Sequence, residues 1–227
     1  MQRERVGADH WLGSGGLGSG VWELRGEVMA RKTKESKGEV WEAVAASQGG
    51  TVASDRKGKA EQVRFPHRNW TIVLDTYTVS TGSTTAKYTR LRALFEPKMP
   101  FRFRISRRNF FSGLGRFIGL QDVHTGRVVL DRDFIVRTDN ESMLRSLLMD
   151  SRVGGRLEAQ STGTFRIAKV SGKAKPRPVG AKELRYETSG EVKDSLRLDE
   201  LVELFRSTLD SLRALGAASD EGVAYEL

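Results

Sequence analysis

Apolar positions follow two periods along this chain, and the change from one to the other marks out its elements. Val40, Trp41, Val44 and Ala45 fall at i, i+1, i+4 and i+5, the spacing of one helix face. Ser36 precedes them with Glu39 three residues on, and Gly49-Gly50 follows, so the pattern predicts a helix over 36–48 with a capping box and a glycine stop. Residues 51–60 are polar and read as a turn region.

From 61 to 136 the period becomes two. Short or alternating runs predict strands at Gln62 to Phe65 (ended by Pro66), Asn69 to Val79, Thr84 to Phe95, Phe101 to Ser106 and Gly126 to Val136. In the fourth of these, Phe101, Phe103 and Ile105 point one way, and Arg102, Arg104 and Ser106 the other. Residues 107–125 mix glycines with Phe110, Phe111, Phe117 and Ile118 and read as an irregular, apolar-anchored loop. Helical spacing returns at Met143, Leu144, Leu147 and Leu148 after a cap at Asp139 or Asn140, with a second helical turn holding Val153 and Leu157. Two further strands, Thr164 to Val170 and Lys182 to Thr188, flank a long basic loop. Leu198, Leu201, Val202, Phe205, Leu209 and Leu212 then predict a long amphipathic helix over about 196–215, capped by Asp194 or Ser195 and ended by Gly216. Strands joined by short turns, with helices gathered later, indicate an α+β fold: a curved, mainly antiparallel sheet of about six strands, packed by the last helix.

Composition divides the chain further. Residues 1–28 hold seven glycines with little periodicity and read as a flexible leader. Residues 29–216 read as the folded domain, and 217–227 as a frayed tail. Gly13, Gly15 and Gly18 match G-x-G-x-x-G, but no strand precedes them and no helix opens on them, so the dinucleotide reading lacks its context. No cysteine is present, which excludes disulfides, thiolate metal sites and a cysteine nucleophile. Apolar runs are only a few residues long, so no integral membrane segment is expected. The three histidines, His10, His67 and His124, lie far apart, and no metal site or cofactor is expected.

The net charge of +9 is unevenly placed. Residues 61–120 carry 11 basic and 3 acidic residues, residues 161–193 carry 8 and 3, and residues 194–227 carry 3 and 8. The first block contains Arg90, Arg92, Arg102, Arg104, Arg107, Arg108 and Arg116 among phenylalanines, and the loop adds Lys173, Lys175 and Arg177. Such a face suits an anionic partner: nucleic acid, a phosphate-bearing molecule or an acidic protein. Alternation, however, puts the phenylalanines on the opposite face from the arginines, where they form core instead of a stacking platform. Acidic residues give a second candidate site. Asp75 lies in an apolar strand and is expected to pair with an arginine. Asp122, His124 and Asp131 could with Asp75 form a hydrolase-like or cation-binding site, against a simpler reading of 122–126 as a turn. Asp131 and Asp133, two apart in a predicted strand, are expected to pair with Arg90, Arg102 or Arg104. No catalytic signature occurs, so a non-catalytic binding module is the leading expectation. Self-association through an edge strand, or through the acidic last helix meeting the basic block, is a third.

Trp70 to Thr76, Tyr88 to Arg90, Ile118 to Asp122 and Asp131 to Ile135, with Glu183 to Tyr186 and Gly190 leading into the last helix, resemble a group of uncharacterised proteins from Gram-positive bacteria. The resemblance covers roughly 36–215. It implies a bacterial, cytoplasmic, single-domain protein and brings no activity or catalytic residues with it.

Overall fold

The computed structural model describes residues 36–58, 60–108, 120–170 and 180–223, all within the compact unit Glu35–Leu227. The leader expected over 1–28, the glycine motif within it, Arg116, Lys173, Lys175 and Arg177 lie outside the described residues.

The first helix, α1 (Lys37–Gln48), forms as the capping box dictates. Ser36 N–H donates to Glu39 Oε2 at 2.7 Å, and Glu39 N–H to Ser36 Oγ at 3.3 Å. Gly49 closes the helix in the left-handed region at φ 63°, and Gly50 lets the chain pass Phe65, whose ring would lie 2.6 Å from any added Cβ.

The segment expected as a polar turn begins with a strand, β1 (Thr51–Ser54), before turning at Gly58. β2 (Ala60–His67) runs on through Pro66, where a stop is expected from the sequence. β1 reaches only to Arg64, so Pro66 lies where β2 is an edge, a position that tolerates a missing N–H. β3 (Trp70–Thr81), β4 (Thr84–Phe95) and β5 (Phe103–Arg107) follow, then the two-residue β6 (Gln121–Asp122).

The strand expected over 126–136 is instead a short helix, α2 (Val128–Asp133), leading into β7 (Phe134–Thr138). Asp131 causes the difference. Its carboxylate takes the Thr125 N–H at 2.7 Å, the Thr125 hydroxyl at 2.9 Å and the Gly126 N–H at 3.0 Å, which folds the chain back on itself.

α3 (Glu141–Met149), α4 (Ser151–Glu158), β8 (Thr164–Lys169), β9 (Lys182–Ser189) and α5 (Ser195–Ala214) complete the chain. The nine strands form one sheet, three more than expected, in the order β1-β2-β3-β4-β9-β8-β5-β7-β6, with every neighbouring pair antiparallel. The α+β class holds.

Helices pack on one face of this sheet. Val63, Leu74, Leu91, Tyr186, Phe165, Ile105 and Val136 occupy successive strands in register and are buried. Phe165 touches Phe103 on one side, with ring centroids 5.4 Å apart, and Phe205 of α5 on the other, at 5.6 Å. All six apolar positions predicted for the last helix are buried. The residues after α5, expected to fray, are docked as far as Ser219: Ala217 and Ala218 are buried, and Ser219 N–H donates to the Glu96 carbonyl at 2.8 Å.

Asp150 joins three helices. It ends α3, caps α4 through the Arg152 N–H at 3.0 Å, and accepts the Ser211 hydroxyl of α5 at 2.7 Å. The Arg152 side chain, and then Ser211 and the Arg152 N–H, overcome the effect of burial and hold its carboxyl down to about 2. A depressed carboxyl stabilises the fold above the unfolded-state value, and that contribution is lost as pH falls through the folded-state value. Asp150→Ala should therefore cost about 1–2 kcal/mol near neutrality. In urea titrations the difference from the parent protein should shrink between about pH 4 and 2. An equal difference across that window would contradict the capping role.

Candidate anion-binding face

Cross-strand register places six arginines in one row on the sheet face away from the helices. Arg64 faces Val73, which faces Arg92; beyond it Arg185, Arg166, Arg104 and Arg137 follow in order. Five consecutive strands, β4-β9-β8-β5-β7, thus carry arginine at the same level, about 4.8 Å apart from strand to strand. Like charges directly opposite one another destabilise a sheet, so the row needs counter-charge.

Part of that counter-charge lies one level away. Asp75, Arg90, Glu187, Thr164 and Ser106 form the neighbouring row. Asp75 takes a bidentate pair from Arg90 at 2.9 and 2.8 Å and a third bond from Arg92 at 2.5 Å. Glu187 accepts from Arg166 at 2.6 Å, from Tyr77 at 3.0 Å and from Arg185 at 3.3 Å. On the other side of the arginine row, Glu183 is wholly buried and accepts from Arg185 Nε at 2.5 Å. Asp122, at the end of the row, is 71% exposed and accepts from Arg137 Nε at 2.6 Å. Among the described strand residues of this face, Arg64, Arg90, Arg92, Arg104, Arg137, Arg166 and Arg185 therefore outnumber Asp75, Asp122, Glu183 and Glu187 by seven to four.

Burial and neighbouring charges shift these groups in different directions. Burial lowers the Arg92 guanidinium pKa, Asp75 opposes that shift, and Arg90 adds to it. Arg104 is lowered first by burial and then by the charges of Arg166 and Arg137, its neighbours in the row. Burial acts on Arg185 in the same sense, but Glu183 and Glu187 outweigh it and raise that group. Tyr77 is pushed well above the usual phenol range by burial and then by Glu187.

The predicted basic residues separate accordingly. Arg90, Arg92 and Arg104 share the face, and Asp75 pairs with arginine as expected. Arg102, just ahead of β5, bonds Asp139 through its N–H at 2.7 Å and its Nε at 2.8 Å. Arg107 is turned to the other face, over the Phe134 ring, and donates to Asp133 at 3.0 Å. Arg108 donates to the carbonyls of Arg132 and Asp131. Asp131 and Asp133 do not pair with Arg90, Arg102 or Arg104: helix α2 turns Asp131 to Thr125 and Gly126, and Asp133 to Arg107 and Arg132.

Four members of the row, Arg64, Arg137, Arg166 and Arg185, are not among the predicted site residues. Their signal is an arginine set between core residues in strand after strand: Leu91-Arg92-Ala93, Phe103-Arg104-Ile105, Val136-Arg137-Thr138, Phe165-Arg166-Ile167 and Leu184-Arg185-Tyr186.

The acidic candidate site assembles only in part. Asp122, His124 and Asp131 line one cleft of about 300 Å³ together with Arg108, Ile135 and Arg137. Asp75, on β3, is six strands away from β6 and takes no part. Burial would raise the Asp131 carboxyl, but its bonds from Thr125 and Gly126 hold it below the usual range, as the turn reading of 122–126 requires. No group of three or more metal-ligating side chains occurs among the described residues. No helix among them is long and apolar enough to cross a membrane. The acids of the last helix are engaged within the fold: Asp199 with Ser47, Glu200 with Arg156, Glu203 with Arg206, and Asp210 with His67 and Arg68.

No protein-family model matches the chain, and no curated protein matches it in sequence. Among solved structures it is similar to the crystal structure of the mycobacterial trehalose monomycolate transport factor A, TtfA, with a TM-score of 0.44 and 12% sequence identity, over 84% of this chain and 98% of that one.

Proposed function

We propose that this protein is a non-catalytic binding module whose arginine-bearing sheet face engages an anionic partner, acting in the bacterial cytoplasm. The observation that carries the reading is the row of six in-register arginines, on a face where guanidinium groups outnumber carboxylates by seven to four among the described strand residues. Guanidinium groups are planar, permanently charged forks suited to phosphate and carboxylate oxygens. Five guanidinium groups side by side repel one another, and an anion on that face would offset part of that repulsion.

Fluorescence anisotropy with labelled single- and double-stranded DNA and RNA, and with an acidic peptide, tests the reading. At least one of these should bind at low salt, with log affinity falling linearly in log salt concentration. Absence of salt-sensitive binding across the whole set would refute it.

A second reading rests on the convergence of Asp122 and His124 on one cleft. Asp122→Ala with His124→Ala should leave folding intact, since both side chains are exposed. Loss of a hydrolytic activity in that variant would favour an enzyme over a binding module.

A further inference from the structure

The hairpin of β3 and β4 is longer than the sheet that holds it. β2 pairs with β3 only as far as Asp75, and β9 with β4 only as far as Tyr88. Past those residues the two strands pair with each other alone among the described residues, out to Thr81 opposite Thr84. The base of this arm is fixed. Gly190 N–H donates to the Lys87 carbonyl at 2.7 Å, and Lys87 Nζ donates to Glu191 at 2.8 Å. The Tyr77 and Tyr88 rings stack across it with centroids 5.3 Å apart. Two strands without a third are only marginally stable in water, so the outer part of the arm gains from a further strand.

Its chemistry is unlike that of the rest of the chain. Residues 76–86 contain no charged residue and no proline, although charged residues make up 30% of the sequence. Five of these eleven residues are threonine, and Tyr77 and Val79 add to a strand-forming run. Open strand edges invite pairing with another chain, and folded proteins guard them with charge, proline, bulges or short length. The other edges of this sheet carry such guards. β1 has four residues and a register slip between Ala53 and Ser54, β2 carries Pro66 where β1 no longer covers it, and β6 is two residues long and includes Asp122. The outer edge of β3 over residues 76–81 has none. Such an edge is complementary to itself. In antiparallel pairing about a two-fold axis between Thr78 and Val79, Thr76 lies against Thr81 and Tyr77 against Ser80, so no charge meets a like charge.

We infer that residues 76–81 of β3 pair edge to edge with the same residues of a second copy of this chain, forming a two-fold dimer. The inference stands independently of the anion-binding reading. The two-fold axis of such a pairing is perpendicular to the sheet, so both arginine rows lie on the same side of one continuous sheet.

Sedimentation velocity of the full-length protein over a wide concentration range, at low and high salt, tests it. A monomer–dimer equilibrium that persists in high salt is expected, because the paired residues are uncharged. Thr78 is exposed, so Thr78→Lys and Thr78→Glu should leave circular dichroism unchanged. Each should weaken dimerisation at least tenfold by setting like charges beside each other, and an equimolar mixture of the two should regain it. A protein that stays monomeric at every concentration overturns the inference and leaves the edge to a foreign strand. A dimer that both variants leave intact, or that high salt dissolves, forms through another surface and also overturns it.

Discussion

Glu183→Gln is expected to destabilise the fold by about 3–5 kcal/mol, because it removes one partner of a buried ion pair and leaves the other charged. Glu183 is wholly buried, and Arg185, at 9% side-chain exposure, reaches it at 2.5 Å. The glutamine is nearly isosteric, so the loss reports charge and not packing. Arg92 also feels the Glu183 charge, which ties the carboxylate to two members of the row. For a domain of this size, a loss of that order lowers the melting temperature by roughly 6–20 °C. Adding Arg185→Gln should restore part of the loss, with a coupling above about 1 kcal/mol in the double-mutant cycle. A Glu183→Gln protein within about 0.5 kcal/mol of its parent in urea denaturation would show that the buried carboxylate does not hold the row together.

The second large effect belongs to the other face. Phe165→Ala should cost about 3–5 kcal/mol, the usual range for emptying a buried phenylalanine site. Phe165 is 1% exposed and lies between the Phe103 and Phe205 rings, so it couples β5 and β8 to α5. Those neighbours come from a strand in a continuous sheet and from a 20-residue helix, neither of which can collapse far into the space left. Phe165→Leu should recover more than half of the loss. A cost under about 1 kcal/mol in equilibrium unfolding would mean that α5 is not anchored through this ring.

Local chemistry makes α1 and α5 legible in the amino-acid sequence: a capping box and glycine stop in one, six apolar residues at helical spacing in the other. Phe101, Phe103 and Ile105 are legible because a single strand shows its two faces by alternation. The stretch 126–136 misleads, since Leu130, Phe134 and Val136 fall at even spacing as they would in a strand. Only the reach of Asp131 back to Thr125 and Gly126 turns its first half into a helix. The candidate site is legible strand by strand but not as a row. Arg92 and Arg104 are 12 residues apart and read as neighbours in one basic block, yet β9 and β8 lie between their strands. Arg137, Arg166 and Arg185 join them through long-range pairing that alternation within a strand cannot reveal.

The central claim is that the arginine-bearing sheet face engages an anionic partner. Residues retained for binding commonly cost the free protein stability, or add none. The most direct measurement pairs thermal unfolding with anion binding in the Arg104→Gln, Arg137→Gln double variant. The account predicts a melting temperature equal to or above that of the parent in phosphate-free buffer, with binding of every anion that the parent binds weakened at least tenfold. A clearly lower melting temperature together with undiminished anion binding would contradict it.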